Sequence, residues 1–435
     1  MKIGVVGFGF FSRDFVNLFC HHPDIEEVYV ADTMPERVQQ AKDMYPVTRT
    51  FSSLDDMLEN APELDCVAIF TQRHLHGKMV IQALNAGKHV YSAVPIGCTI
   101  DEIREIVKLV EEKHLIYMMG ETCYYYPSAI YCREKQKEGA FGRFVYAEAQ
   151  YYHDIREMYS DFKRSGGENW RRVAGIPPMF YPTHSISMIL PAIGAHAISV
   201  SCLGLRDTFP DDIYGEEKND FENPFSNESA LFRLSDGSVM RINEFRRVGI
   251  NKPSTYITCF YGDRGSYDCV TDHHIFQTAP LPDENGVKQP QHVEDVSDQL
   301  MPVNYLKYKN GEIKTWRDRE WGDDWSSVSV ATIEGRAKIQ EKEIARLPRY
   351  FREYMEKDTY HFNSHPFLVD DFVRAVMSGK LPPNNAWDSA RYMVPGLVAH
   401  ESALQGGVQL DIPDFGDAPV DWERLTYEHK DNYDD

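Results

Sequence analysis

An α/β dinucleotide-binding domain followed by an α+β domain is the fold class that this sequence predicts. Three observations carry it: a glycine-rich turn after the first apolar strand, alternating strands and helices up to residue 122, and longer strands beyond it. Lys2 to Val6 reads as a strand and Gly7-Phe8-Gly9 as the turn. The next segment, Phe10-Phe11-Ser12, opens a helix with Phe11, Phe15, Leu18 and Phe19 on one face. Gly7 permits the tight turn, and Gly9 lets the backbone approach a pyrophosphate at the helix N-terminus. Ser12 stands where a third glycine is usual and is small enough for close packing. A second apolar run, Val28 to Ala31, ends at Asp32, where a ribose-binding acid belongs. A carboxylate there repels a 2′-phosphate, so NAD is favoured over NADP, with Arg37 near enough to soften the preference.

The alternation continues through the strand Asp65 to Thr71, a helix to about Ala86, and the strand His89 to Tyr91. A helix from Thr99 to Lys113 and the strand Ile116 to Met119 follow. Continuous apolar strands separated by helices imply a doubly wound parallel sheet. Ligands bind at the carboxyl ends of such strands. Thr71 to His76, Ser92 to Pro95 and Gly120 to Cys123 are therefore site candidates by position.

The pattern changes after Tyr126. Phe144 to His153 reads as a long strand with Val145, Ala147, Ala149, Tyr151 and His153 on one face. Strands over Ala230–Leu234, 238–245 and 254–261 point to a mainly antiparallel, open-faced sheet. Two acidic, proline-rich stretches, 207–227 and 280–299, read as surface loops. Helices over 366–377 and 387–404, the second containing Pro395, precede an acidic tail read as peripheral. The expected domains are a Rossmann domain over 1–122 and a substrate and oligomerisation domain over 123–435, with helices 366–404 packing back on the first.

At 435 residues the chain is too long for one ordinary core. No apolar run is long enough to span a bilayer, and the glycine-filled start followed by Arg13 and Asp14 is unlike a signal peptide. A formal charge of −21 argues against nucleic acid or anionic membrane as partner. Eight scattered cysteines without a C-x-x-C pair suit reduced thiols in the cytoplasm.

The order Gly7-Phe8-Gly9, Thr71 to His76, Ala86 to Val90 and Val94-Pro95 resembles the glucose-fructose oxidoreductase / inositol dehydrogenase (Gfo/Idh/MocA) superfamily. Most members have Glu-Lys-Pro where this chain has Ala93-Val94-Pro95. Their lysine helps move the substrate hydroxyl proton, assistance worth ~10²–10⁴-fold. One branch without that lysine is similar here, the NAD-dependent glycosidases typified by α-N-acetylgalactosaminidases. This chain offers Val94-Pro95, Glu121-Thr122-Cys123, Tyr151-Tyr152-His153-Asp154 and Tyr181-Pro182-Thr183-His184 in the order of that branch. Ser185 departs from that branch's glycine, and Phe362 to His365 from its glycine-rich approach.

The resemblance implies an oxidation–elimination–hydration–reduction cycle on a pyranoside, beginning at C3 with NAD as cofactor. His184, at the start of a helix with Ile186, Ile189, Leu190 and Ile193 on its apolar stripe, is the expected base for the hydroxyl. The helix end should keep its ring neutral, and Tyr181 reaches the same pocket. Tyr151, beside His153, is the expected acid–base group at C2. A phenol there needs a neighbour that stabilises its anion.

The expected cofactor contacts are Gly7, Gly9, Phe10, Phe11, Asp32, Thr71, His76, Val94, Pro95 and Glu121. Glu121 orients the nicotinamide ribose or a sugar hydroxyl. Trp170, Arg171 and His365 are the expected sugar contacts, His365 preceding a helix that closes over the substrate. No metal site is read from the histidine and carboxylate spacing. A small carbohydrate or glycoside is the expected partner, with homo-oligomerisation as in relatives. Two other readings stand beside this one: a plain NAD-dependent sugar or cyclitol dehydrogenase, and an inactive NAD-binding regulator.

Overall fold

The computed structural model describes residues 1–249, 256–270, 273–287, 289–303, 306–307, 310–312, 336–356 and 361–427. The first half of the chain builds a six-stranded, fully parallel sheet in the order β3-β2-β1-β4-β5-β6. Its strands are β1 (Lys2–Val6), β2 (Glu27–Ala31), β3 (Arg49–Phe51), β4 (Cys66–Ile69), β5 (His89–Ser92) and β6 (Tyr117–Met119). Helices α1 (Phe10–His21), α2 (Pro35–Met44), α3 (Leu54–Asn60), α4 (His76–Asn85) and α5 (Ile100–Lys113) connect them. Order reverses at β1, whose neighbours are β2 and β4, and a crevice opens at such a switch point. Sequence reading did not place β3, α2 or α3. The edge strand is three residues long, and its neighbouring helix α2 buries only Ala41, so the apolar period there is faint.

The two faces of this sheet are covered differently. On one, Val80, Ala83, Ile103 and Ile106 of α4 and α5 pack on Val67 and Ile69. On the other, Phe15 and Phe19 of α1 share a cluster with Phe367, Leu368 and Phe372 of a late helix, Ser364–Ser378. That helix begins two residues before the expected start, so His365 lies inside its first turn. The last long helix, Ala386–Leu404, contacts α5, β6 and the second sheet.

The second sheet has nine strands in the order β14-β13-β12-β11-β7-β10-β9-β8-β15. They are β7 (Phe144–Tyr152), β8 (Ala197–Arg206), β9 (Phe225–Leu234), β10 (Val239–Phe245), β11 (Tyr256–Gly262), β12 (Gly265–Val270), β13 (His273–Thr278), β14 (His292–Asp295) and β15 (Leu410–Asp411). Only β7 and β10 run parallel. Helix α6 (Pro127–Lys137), α7 (Tyr159–Gly166), α8 (Trp170–Ala174) and α9 (Thr183–Ile193) come before β8, and α6 and α9 contact β11.

Four expectations need correction. Val145 is 52% exposed while Phe144 is buried, because β7 carries Val145 as an extra, unpaired residue where Tyr146 and Phe144 face the consecutive Tyr261 and Gly262. The stretch 207–227 is not a surface loop throughout. Ile213, Tyr214, Asn219 and Asn223 are buried, and the two asparagine side chains supply hydrogen bonds to backbone groups of Ile213, Gly175 and Phe225. The stretch 280–299 contributes β14 and a short helix, Ser297–Leu300. The tail is not peripheral as far as residue 427. Glu423 and Leu425 exchange backbone hydrogen bonds with Leu381, Trp422 meets Trp387, and the Tyr427 hydroxyl donates to buried Asp371. Residues 254–255 of the expected third strand lie outside the described residues.

Candidate active site

A cleft of about 1210 Å³ runs from the glycine turn to the far end of β7. At one end Gly7 sits at φ +94°, and a Cβ there would lie 2.7 Å from the Phe70 carbonyl oxygen, so only glycine makes this turn. Gly9 precedes α1 with no side-chain cap, and a Cβ on it would meet nothing within 4 Å. Bare first-turn amides beside open space are a cradle for a phosphate. Ser12 is buried, its hydroxyl donating to the Gly9 carbonyl. Asp32 accepts from the amides of Phe8 (2.7 Å) and Met34 (2.9 Å). Arg37 stands 3.6 Å from the Asp32 carboxylate. These residues fit a dinucleotide.

Along the walls, Phe10 and Phe11 are 61% and 38% exposed and face the cleft, as do Thr71 and Val94. Val94 and Pro95 are joined by a cis peptide bond. His76 is buried, with its two ring nitrogens each 3.0 Å from a carbonyl oxygen, of Pro95 and of Thr71. Burial pushes its pKa down. The ring ties two strand-end loops together at the cleft wall.

At the far end β7 and α9 bring the predicted proton-transfer groups together. The Tyr151 hydroxyl is hydrogen-bonded to His153 Nδ1. Tyr151 and Tyr181 each meet the His184 ring edge to face, with centroids 5.0 and 4.9 Å away. His184 Nδ1 lies 2.7 Å from Oε1 of Glu121. That carboxylate fixes the imidazole orientation, because a neutral ring bonded through Nδ1–H presents Nε2 as its acceptor. Tyr151, His153, Tyr181, His184 and Trp170 all line the cleft.

Four expected residues sit elsewhere, the first being Pro95, which does not line the cleft and has its carbonyl oxygen 3.0 Å from His76 Nδ1. Glu121 has no exposed surface and is not on the cleft wall. Its Oε1 accepts from His184 and from the Cys123 amide, so it addresses the His184 ring and not the open cleft. Arg171 turns away, donating to the Asp211 carbonyl with its guanidinium over Trp170. His365 faces the nucleotide half: Nδ1 pairs with Asp14 of α1, and its ring packs on Phe11 and Phe15. The cause is the same for both histidine and arginine. Each belongs to a helix whose packing partners were invisible in the sequence.

Sequence reasoning missed a buried layer behind this cluster. Glu121, Cys123 and His184 hold carboxylate, thiol and imidazole atoms within 4.8 Å of one another. No spacing rule signals that grouping, since His184 arrives from 61 positions after Cys123 by tertiary packing. Burial raises the Cys123 thiol pKa well above its usual value, and the carboxylate already bonds the imidazole. Ser185, Glu244 and Arg246 complete the layer. Arg73 also went unremarked. Its guanidinium lies 4.8 Å over the Tyr181 ring at the cleft wall.

Comparison with known proteins concerns the nucleotide-binding half and the overall fold. Residues 1–121 match the Gfo/Idh/MocA family model, described as an oxidoreductase family with an NAD-binding Rossmann fold. A "Glycosyl hydrolase family 109 protein" of Solibacter usitatus is 29% identical over 95% of this chain and 88% of its own length. An "Alpha-N-acetylgalactosaminidase" of Shewanella oneidensis is 26% identical, the match spanning 43% of each chain. Several relatives are likewise matched over only 43% of their length. In overall fold the chain resembles levoglucosan dehydrogenase in complex with NADH and levoglucosan. The TM-score is 0.65 at 17% identity, covering 95% of this chain and 100% of that one. Scyllo-inositol dehydrogenase of Lactobacillus casei with NAD(H) and scyllo-inositol gives 0.63 at 17% identity, covering 94% and 98%.

Proposed function

We propose that the protein is an NAD-dependent glycosidase acting on a pyranoside ring, with residues 1–121, which match the Gfo/Idh/MocA oxidoreductase model, holding the dinucleotide. The observation that carries the reading is the convergence of Tyr151, Tyr181 and His184 in one cleft with the glycine turn, where Val94 stands in place of a lysine. The names of the relatives, glycosyl hydrolase family 109 and α-N-acetylgalactosaminidase, point the same way.

Gly7, Gly9 and Asp32 would hold NAD, which when bound would supply the oxidant for a ring hydroxyl and the reductant that restores it. His184 takes the hydroxyl proton at C3 through Nε2, while Glu121 holds the opposite nitrogen. The resulting ketone acidifies the neighbouring carbon. Tyr151 removes the C2 proton, the C1 substituent departs, and water adds to the unsaturated ketone. No net redox change follows. Trp170 and Tyr181 give the sugar apolar faces, and Arg73 adds a donor at the same wall.

Incubation with aryl glycosides is expected to release the phenol without accumulating NADH, and to introduce deuterium at C2 in heavy water. Stoichiometric NADH with no phenol would instead mark a plain sugar dehydrogenase and overturn the glycosidase reading.

A further inference from the structure

The layer of charge behind Tyr151 has no part in binding or in the steps above. Glu244, in β10, lies opposite Tyr151 of β7 in the parallel register. It is fully buried. One carboxylate oxygen accepts from the Ser185 hydroxyl at 2.5 Å, and the other lies 3.0 Å from Nη2 of Arg246. Arg246 is 5% exposed. Its guanidinium carbon is 4.8 Å from the Tyr151 ring centroid and 6.0 Å from that of Tyr181. Weak contacts at 3.4 Å to the carbonyls of Tyr151 and Pro178 complete its setting.

We propose that Arg246, anchored by Glu244, is a positioning residue whose buried cation stabilises the Tyr151 phenolate and so makes it a base at neutral pH. This rests on the reading of Tyr151 as the group that takes the C2 proton. A free phenol ionises near pH ~10 and would be almost wholly protonated at neutrality. An opposite charge within ~4–6 Å lowers an acid's pKa by roughly 1–3 units, and burial limits screening. His153 receives the phenol proton and passes it to solvent. The phenolate then forms an O–H bond with the C2 proton as the C2–H electron pair moves toward the ketone, so charge and protons balance.

Other charged or titratable groups surround Tyr151 from several elements. His184 and Tyr181 approach from α9 and the turn before it, with Glu121 behind His184. Arg73 stands beyond Tyr181, and Tyr214 acts on Arg246. Burial pushes the Glu244 carboxyl up to about 8. Burial thus weakens the carboxyl's hold on a full negative charge, while its hydrogen bond still anchors Arg246. Ser185, the residue that departs from the glycine of the similar glycosidases, supplies the bond that holds this carboxyl in place.

Tyrosinate absorbance tests the assignment without relying on turnover. Subtracting the titration of Tyr151→Phe from that of the intact protein isolates one phenol among 25 tyrosines. Its midpoint is expected about one unit or more below the ordinary ~10. The double variant Glu244→Gln/Arg246→Met leaves no buried charge without a partner. In it the midpoint, measured against the same background carrying Tyr151→Phe, should rise by about one unit or more, while Arg246→Lys keeps it low. The acid limb of kcat on an aryl glycoside should move in parallel. Equal midpoints in the intact protein and the double variant, with NAD affinity retained, would overturn the proposal. So would a midpoint at or above ~10 in the intact protein, a measurement that needs no folded double variant. A shifted midpoint without glycoside turnover would leave the coupling of Arg246 to Tyr151 standing and remove the proposed function with the role of base.

Discussion

In the proposed chemistry His184 takes the hydroxyl proton, and its neighbours define what each substitution should do. His184→Ala is expected to lower kcat by roughly 10²–10⁴-fold, the worth of a positioned acid–base group, with NAD affinity unchanged in a fluorescence titration. Glu121→Gln acts through the ring. It keeps the hydrogen-bond partner for Nδ1 but removes the carboxylate charge, so kcat should fall while KM stays within error. Asp32 answers a different question. Its carboxylate faces the ribose end of the cleft with Arg37 only 3.6 Å away. Asp32→Asn removes a repulsion worth several kcal/mol. The ratio of NADP to NAD dissociation constants should therefore drop by at least ~10-fold, and an unchanged ratio would place the 2′ position elsewhere.

At the scale of elements, the helix Ser364–Ser378 does work that its sequence position conceals. It closes one face of the nucleotide sheet, and it is fastened by buried charge. Arg346 pairs with Asp370 at 2.7 Å and with Asp371 at 3.0 Å. His22, just past α1, reaches the other oxygen of Asp370, and Arg346 lies 3.8 Å over the ring of Tyr427. Removing one partner of such a group strands the others. Arg346→Met is expected to cost about 3–5 kcal/mol, read as a lower urea midpoint. Truncation before Tyr427 should cost less, since Tyr125 also bonds Asp371. The approach to this helix is strained as well. His361, Phe362 and Asn363 all have φ between 49° and 59°, a left-handed run that non-glycine residues adopt at a cost of roughly 1–2 kcal/mol each.

For the molecule as a whole, Glu244 sets a pH dependence with a definite sign. In the folded protein burial raises its pKa to about 8, against 4.5 ordinarily. Between those values the native state keeps a proton that the unfolded chain has released. Stability from this group is therefore complete below the lower value and declines as pH rises toward 8. The melting temperature of Glu244→Gln should lose that share of the decline. Equal slopes for the two proteins between pH 5 and pH 8 would contradict it. Burial likewise pushes Cys20 and Cys98 up to about 12, so thiol reagents should meet little thiolate in the native protein.

The sequence by itself determined the parallel sheet, the glycine turn, Asp32 and the order of the Tyr-x-His and Tyr-Pro-Thr-His segments. Those signals are local: strand period, helix face and backbone freedom are written within a few residues. Tertiary structure alone decided that Glu121 points at His184, that His365 pairs with Asp14 of α1, that Arg171 turns outward, and that Arg246 lies over Tyr151. Each of those depends on register or helix docking between segments tens to hundreds of residues apart. The aim of a buried side chain is set by what packs against it, and no periodicity encodes that partner.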